Sequence, residues 1–446
     1  MTEERKNLKL EDLQAPNQVL CYGAGVMGPQ MVESYQAAHI HVVGFIDQNK
    51  SGIVETDHGP LPIYSIEAAV HTFGREIIVV ITVTNSLLLP AIRKDLMAAG
   101  IAEDHILDWS FSSWITVPSP VCHCDLIYRN ALLSTGSIIK CCAWGDHRVF
   151  HGEFLSPNVS FREILENYTE KMRLYYERSL CGEVPLCCVG CPRLSSAPPY
   201  KELPLIEQVG FGPVVHCNLR CIYCEDMAEE KSLPQPYDDK GYVDLFFYML
   251  RYFDAHGLLA PAAEICFSGG EISILPNREE LLDFALEHPQ YRYKFLSNCV
   301  IYNEKIAQIL AQNPENSIMC DLDAGTPETY ILVKGRNRFD KVAGNLKNYA
   351  QHGRVILKYI VLPGFNTSTE DYLGTVALLK EFSLTELLLS QDNLCHMDVK
   401  EERKSLFEVA RFKKLLEEHG FVGTLLPGSF SKKQELMVNQ LYQLGA

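Results

Sequence analysis

His216-Cys217-Asn218-Leu219-Arg220-Cys221-Ile222-Tyr223-Cys224 decides how this chain is read. Its cysteines form a C-x3-C-x2-C run. Three thiolates this close on one loop can hold three irons of a [4Fe–4S] cube. The run offers no fourth cysteine, so one iron would stay open to a ligand, and an open iron is a reaction site. Zinc sites usually pair one C-x2-C unit with a distant second pair, which this triplet fits poorly. A zinc site that borrows a fourth ligand is the rival reading.

The flanking sequence places the loop. Val209-Gly-Phe-Gly-Pro-Val-Val215 reads as a buried strand ending at the cysteines. An amphipathic helix near 239–257 follows, then the short apolar strand Glu264-Ile-Cys-Phe-Ser268, which runs into Gly269-Gly270-Glu271. Two glycines let backbone approach a ligand closely, and a carboxylate comes next. Strands are expected at 292–297, 317–322, 354–361 and 386–390. Helices are expected at about 303–312, 338–352, 368–382 and 402–419. This alternation implies βαβ units and a parallel α/β sheet of six strands. In parallel α/β sheets ligands bind at the C-terminal strand ends. Ser297-Asn298 ends the third strand. Asp321 and Asp323 end the fourth, and period-two spacing puts both on one face. Lys358 on the fifth strand is either a carboxylate partner or a solvated lysine.

The triplet, the aromatic before its third cysteine and the Gly-Gly-Glu element resemble the radical S-adenosylmethionine (radical SAM) superfamily. The resemblance implies a partial (β/α)6 TIM-like barrel. It implies that the open iron is chelated by the amino and carboxylate groups of S-adenosylmethionine. One electron then splits the sulfonium and releases a 5′-deoxyadenosyl radical. Carried over residue by residue, Gly269, Gly270 and Glu271 would seat the methionine moiety and Tyr223 would lie near the adenine. Ser297, Asn298 and Asp323 would face the ribose and the substrate. The family often has serine where Asp321 stands. Lys334-Gly335 lies in a stretch resembling the family's Tyr…Lys…Gly segment. The implied electron donor is reduced flavodoxin or ferredoxin.

Composition narrows the partners. The chain has 446 residues, 47% of them hydrophobic, and a formal net charge of −16. That charge argues against a nucleic-acid backbone as partner, which needs basic stripes. No uncharged apolar run is long enough to span a membrane, and the charged start leads into no apolar signal core. A cytoplasmic protein is expected. Thiols stay reduced there, so 16 cysteines suggest metal rather than disulfides.

Eight of those 16 cysteines fall between residues 122 and 191. Gly136-Ser-Ile-Ile-Lys-Cys141-Cys142 reads as a hairpin strand feeding a cysteine pair. Ser160 and Glu163 read as the N-cap and N3 of a helix. Pro185-Leu-Cys-Cys-Val-Gly-Cys191 ends in a C-x2-C unit. This set resembles the SPASM domain, an auxiliary iron–sulfur module of many radical SAM enzymes, although such modules normally follow the barrel. The resemblance favours Cys122, Cys141, Cys188 and Cys191 as ligands, with Cys124, Cys142 and Cys187 as close competitors. A zinc site with four cysteine ligands is the alternative.

In the N-terminal third, Val19-Leu-Cys-Tyr-Gly23-Ala-Gly25-Val-Met-Gly28 is a strand followed by G-x-G-x-x-G. A helix pattern follows, then a strand ending at Asp47, where a ribose-binding carboxylate belongs. A small Rossmann-like domain is expected, with Gly23, Gly25, Gly28 and Asp47 available to a nucleotide. The expected order is a Rossmann-like domain at 1–115, a cysteine-rich module at 116–205 and a radical SAM partial barrel at 206–446. The expected function is reductive cleavage of S-adenosylmethionine and hydrogen-atom abstraction from a substrate. A nucleotide-linked sugar or other small metabolite is favoured over a ribosomal peptide, because no winged-helix leader-binding module is apparent. A non-catalytic zinc-binding module is the alternative from another class.

Overall fold

The computed structural model describes the chain except residues 1–7, 26, 57–58, 84–87, 109–112, 118–123, 143–149, 156–157, 190, 192–193, 195–200, 214–215, 225–237, 393–398 and 445–446. Contacts gather it into two compact units with interleaved segments. One comprises 1–129, 140–152 and 166–204; the other comprises 130–139, 153–165 and 205–446.

The larger unit is built on parallel strands β1 (Ile206–Gly212), β2 (Leu259–Phe267), β3 (Arg292–Leu296), β4 (Ser317–Asp321), β5 (Arg354–Val361), β6 (Glu386–Gln391) and β7 (Val422–Leu425). Each pairs in parallel with the next. Helices return the chain between them: α1 (Asp239–Ala255), α2 (Arg278–Glu287), α3 (Glu304–Gln312), α4 (Pro327–Lys334), α5 (Phe339–Ala350), α6 (Thr369–Glu381) and α7 (Val399–Glu418). A last helix, α8, spans Lys432–Gln443. Side-chain caps set several starts, with Asp238, Asn303, Thr326 and Ser368 each accepting from the first helical turn. This is the strand-and-helix order of a partial TIM-like barrel.

Two elements extend the expected six strands. One is β7, whose four residues Val-Gly-Thr-Leu give too short a pattern to read as a strand. The other is the hairpin Asn130–Ser134 and Ser137–Cys142, expected within the cysteine-rich stretch, with Phe150–Phe154 paired at its outer edge. Its first strand pairs in parallel with β1. Gly210 makes room for this, because a Cβ there would lie 2.6 Å from a methyl of Leu132.

The two faces of the sheet differ. Phe246 of α1 meets Phe211 and Phe267. Tyr372 of α6 and Phe412 of α7 meet Tyr359. Those strand residues are buried under helices. Alternation then turns Cys266, Lys294 and Lys358 to the opposite face. Asp321 joins them, because it pairs in register with Lys358 and its Oδ2 accepts from the Lys358 ammonium at 2.9 Å.

The smaller unit carries a sheet in the order Gly52–Val54, Leu61–Tyr64, Val42–Ile46, Val19–Tyr22, Ile78–Ile81, Ile106–Asp108. All its pairs are parallel except the first. Alternate residues enter two cores: Val19, Cys21 and Val80 one, Leu20, Tyr22 and Val79 the other. Both faces are therefore covered, as parallel sheets require. A small sheet joins Leu8–Lys9, Trp114–Thr116 and Glu183–Pro185. There Trp114 packs on Tyr175 and under the Arg178 guanidinium. The helix Phe161–Leu180, whose first residues are assigned to the larger unit, starts as expected, with Ser160 Oγ accepting from Glu163 N at 3.2 Å. Among the described residues no helix is long and apolar enough to cross a membrane.

One contact in the larger unit tolerates only glycine. Buried Asp371 of α6 accepts from Gly325 N, Thr326 Oγ1, Thr329 Oγ1 and Ser368 Oγ, tying the loop after β4 to α6. A Cβ on Gly325 would stand 1.9 Å from the Asp371 carbonyl oxygen. Gly325→Ala is expected to destabilise this unit by about 1–3 kcal/mol, read as a lower denaturant midpoint.

Candidate functional site

The cysteine loop follows β1 and lies half-buried, anchored by buried Leu219. Its own turn closes with Cys224 N donating to Cys221 O at 3.1 Å. Two other segments hold it. At the C-terminal end of α4, Lys334 O accepts from Arg220 N and Val333 O accepts from Ile222 N, both at 3.0 Å. Gly335 caps that helix at φ +70°, and a Cβ there would lie 2.7 Å from Arg220 O. At the end of β3, Asn298 Nδ2 donates to Asn218 Oδ1 at 2.6 Å and contacts Cys217 Sγ at 3.5 Å.

Burial pushes the Cys217 thiol up, with Glu271 adding to the effect. Burial also pushes Cys221 up to about 11, against the lowering field of Lys334. Both thiols are neutral until a metal displaces their protons. His216, the neighbour, turns away to Asp239 at 2.7 Å. Among the described residues no three or more His, Cys, Asp or Glu side chains gather as a single ion requires. A cube has no such need, since each thiolate holds a different iron. The donor set here is thiol only, and it fits an iron–sulfur cube with one iron lacking a cysteine.

Gly269 and Gly270 both have positive φ, 80° and 56°. Gly269 sits against the protein's own chain, because a Cβ there would be 2.5 Å from Pro213 O. Glu271 is fully buried. Its Oε1 accepts from Ser273 N, Ser273 Oγ and Ser297 Oγ at 3.0, 2.6 and 2.9 Å. Its Oε2 accepts from Asn298 N at 2.7 Å. The carboxylate thus braces the ends of β2 and β3, and through Asn298 it reaches Cys217.

Tyr223 and Asp323 also come together. The Tyr223 hydroxyl donates to Asp323 Oδ2 at 2.6 Å. Lys334 Nζ lies 2.5 Å from both the Tyr223 oxygen and Asp323 Oδ2. Asp323 Oδ1 accepts from Ile360 N at 2.6 Å. The Tyr223 ring packs against Val333, Ile360 and Leu362. Sequence reading gave Lys334 no role and missed Asn366. Buried Asn366 donates to Asp323 O and Ile360 O and accepts from Leu362 N. No spacing signal marks it, since it acts only where the turn after β5 folds back on β4.

In the smaller unit, Gly23, Gly28 and Asp47 are used internally. A Cβ on Gly28 would lie 2.0 Å from Gly23 O. Asp47 accepts from Ala24 N, Asn49 N and Lys50 N at 2.9, 2.8 and 3.0 Å. Gly25 is exposed, with open space where its side chain would be. In the same unit Cys188 and Cys191 form a turn, Cys191 N donating to Cys188 O at 3.1 Å. Cys124 and Cys188 are buried in one core and both act on Tyr128, whose phenol is raised chiefly by burial. Cys122 and the side chains of Cys141, Cys142 and Cys187 lie outside the described residues.

The larger unit thus carries a half-buried thiol loop after the first strand of a parallel α/β sheet. Residues 213–377 match the family model described as the Radical SAM superfamily. The matched segment takes in the cysteine loop, the Gly269-Gly270-Glu271 element and the ends of β3 and β4. An uncharacterized protein of Methanocaldococcus jannaschii is 25% identical over 185 residues, 40% of this chain and 54% of its own length. The chain thus spans about half of that relative. Streptococcus suis SuiB is similar at 13% identity and a TM-score of 0.39, over 61% of this chain and 56% of that one. The radical S-adenosylmethionine methyltransferase TsrM of Kitasatospora setae is similar at 11% identity and a TM-score of 0.32, over 84% and 72%.

Glu271→Gln keeps the shape of the buried brace but puts an amide donor where only acceptors are needed. It is expected to cost about 1–3 kcal/mol, measured by chemical denaturation of the metal-free protein.

Proposed function

We propose that the protein cleaves S-adenosylmethionine reductively and takes a hydrogen atom from a small-molecule substrate, with Cys217, Cys221 and Cys224 as the cluster ligands. The observation that carries this reading is the thiol loop itself, half-buried and pinned to the end of β3 on one side and to the end of α4 on the other. A bound [4Fe–4S] cluster supplies the electron and the open iron. The chain's part is to orient. Asn298 and the end of α4 fix the thiols, and Glu271 fixes Asn298. Gly269 and Gly270 present backbone beside the loop for the methionine moiety. On the inner face, the Asp321–Lys358 pair is half-open, with side-chain exposures of 35% and 16%, and offers both charges to a polar substrate.

The smaller unit we read as a Rossmann-like domain, supported by its parallel strand order and its glycine loop. The cysteine-rich stretch we read as an auxiliary iron–sulfur module, supported by the Cys188–Cys191 turn and the nearby Cys124. The electron donor is a reduced flavodoxin or ferredoxin.

Anaerobic reconstitution followed by dithionite reduction tests the first reading. Wild type is expected to yield methionine and 5′-deoxyadenosine, and the variant with Cys217, Cys221 and Cys224 all changed to Ala is expected to yield none. That variant should still hold about four irons if the auxiliary cluster is present. A fully loaded wild type that never turns over would reject the activity.

Gly25→Trp is expected to fold, since its side chain enters open space. It is also expected to abolish nucleotide-sugar binding in calorimetry while leaving substrate-free S-adenosylmethionine cleavage intact. Wild type that binds no nucleotide would leave the domain a structural one.

A further inference from the structure

We propose that Lys334 is a positioning residue for the cluster. Through its buried ion pair with Asp323 and the phenol of Tyr223, it clasps the Cys221–Cys224 end of the loop, separately from the hold that Asn298 has on Cys217. The proposal rests on the cluster reading above.

The geometry is a closed set. Lys334 is 2% exposed and Asp323 is 0% exposed, so this ion pair has no water to fall back on. Asp323 spends one oxygen on Ile360 N and the other on Tyr223 and Lys334. Asp323 is held at φ +56°, in the left-handed region that aspartate tolerates better than most residues. Its carbonyl oxygen is fixed by Asn366. Tyr223 is the residue between Ile222, whose amide bonds to Val333 O, and Cys224, whose amide bonds to Cys221 O. Its ring lies under the Lys334 ammonium, 5.0 Å from it. The backbone of Lys334 takes Arg220 N while its side chain takes Tyr223. One residue thus grips the loop on both sides of Cys221.

Burial alone would depress the Lys334 ammonium, but the Asp323 carboxylate it touches outweighs that, so the cation persists. A fixed positive charge beside a thiolate ligand stabilises the cluster's reduced, more negative state. Outer-shell partners of metal ligands commonly contribute 10–100-fold to retention.

The test compares wild type with Tyr223→Phe, Lys334→Met, Lys334→Arg and the charge-neutral pair Lys334→Met/Asp323→Asn. In metal-free protein, hydrogen exchange at the amides of Arg220 and Ile222 is expected to be about tenfold faster in Tyr223→Phe and in the double variant. In reconstituted protein, a chelator is expected to strip iron from the 217–224 site about 10–100-fold faster. The midpoint potential should fall in Lys334→Met and recover in Lys334→Arg, which a merely structural role would not produce. Lys334→Met strands a buried carboxylate and can fail to fold; Tyr223→Phe and the double variant leave no such charge. Wild-type exchange rates and wild-type iron retention in those two variants would overturn the clasp. A wild type that takes up no cluster would instead overturn the cluster reading, and the hydrogen-exchange comparison would still decide the clasp.

Discussion

The ion pair between Lys334 and Asp323 is the constraint on which the larger unit's functional end depends. Both partners are out of water. Removing one partner of such a pair is strongly destabilising, because the other is left as an uncompensated buried charge. The pair survives because both Asp323 oxygens accept hydrogen bonds, from Ile360 N on one and from Tyr223 and Lys334 on the other. Its members come from the cysteine loop, the segment just after β4, the end of α4 and, through Ile360 N, β5. Those segments are tied together by one carboxylate.

Glu271 plays the matching part on the other side of the loop. Four donors converge on it, two from Ser273 in the turn that follows β2 and two from Ser297 and Asn298 at the end of β3. Asn298 then carries that order to Asn218 and Cys217. The thiols are therefore arranged before any metal arrives, while burial keeps Cys217 and Cys221 protonated. Metal binding by these thiols would release their protons.

Many of the groups singled out as ligand contacts have protein partners here. Asp47 is satisfied by three backbone amides. Gly28 is glycine because Gly23 O crowds it, and Gly269 is glycine because Pro213 O does. The same residue types serve close backbone packing and ligand approach for one physical reason: without a Cβ, two chains can come within contact distance. A sequence motif alone cannot say which chain will do so.

The sequence by itself determined the parallel α/β architecture and the place of the thiol loop. Hydrophobic runs of strand length, alternating with helical periods, are local signals, and C-x3-C-x2-C is a spacing that needs no tertiary information. The N-cap at Ser160 and the hairpin at 137–142 were legible for the same reason. Only the tertiary structure decided that this hairpin extends the barrel sheet beside β1, and that Lys334, Asp323 and Tyr223 form one site. Those residues are separated by 11 to 111 positions, and nothing local encodes their meeting. Long-range pairing of buried charge is set by how strands and helices close on one another, and it becomes visible only once they have.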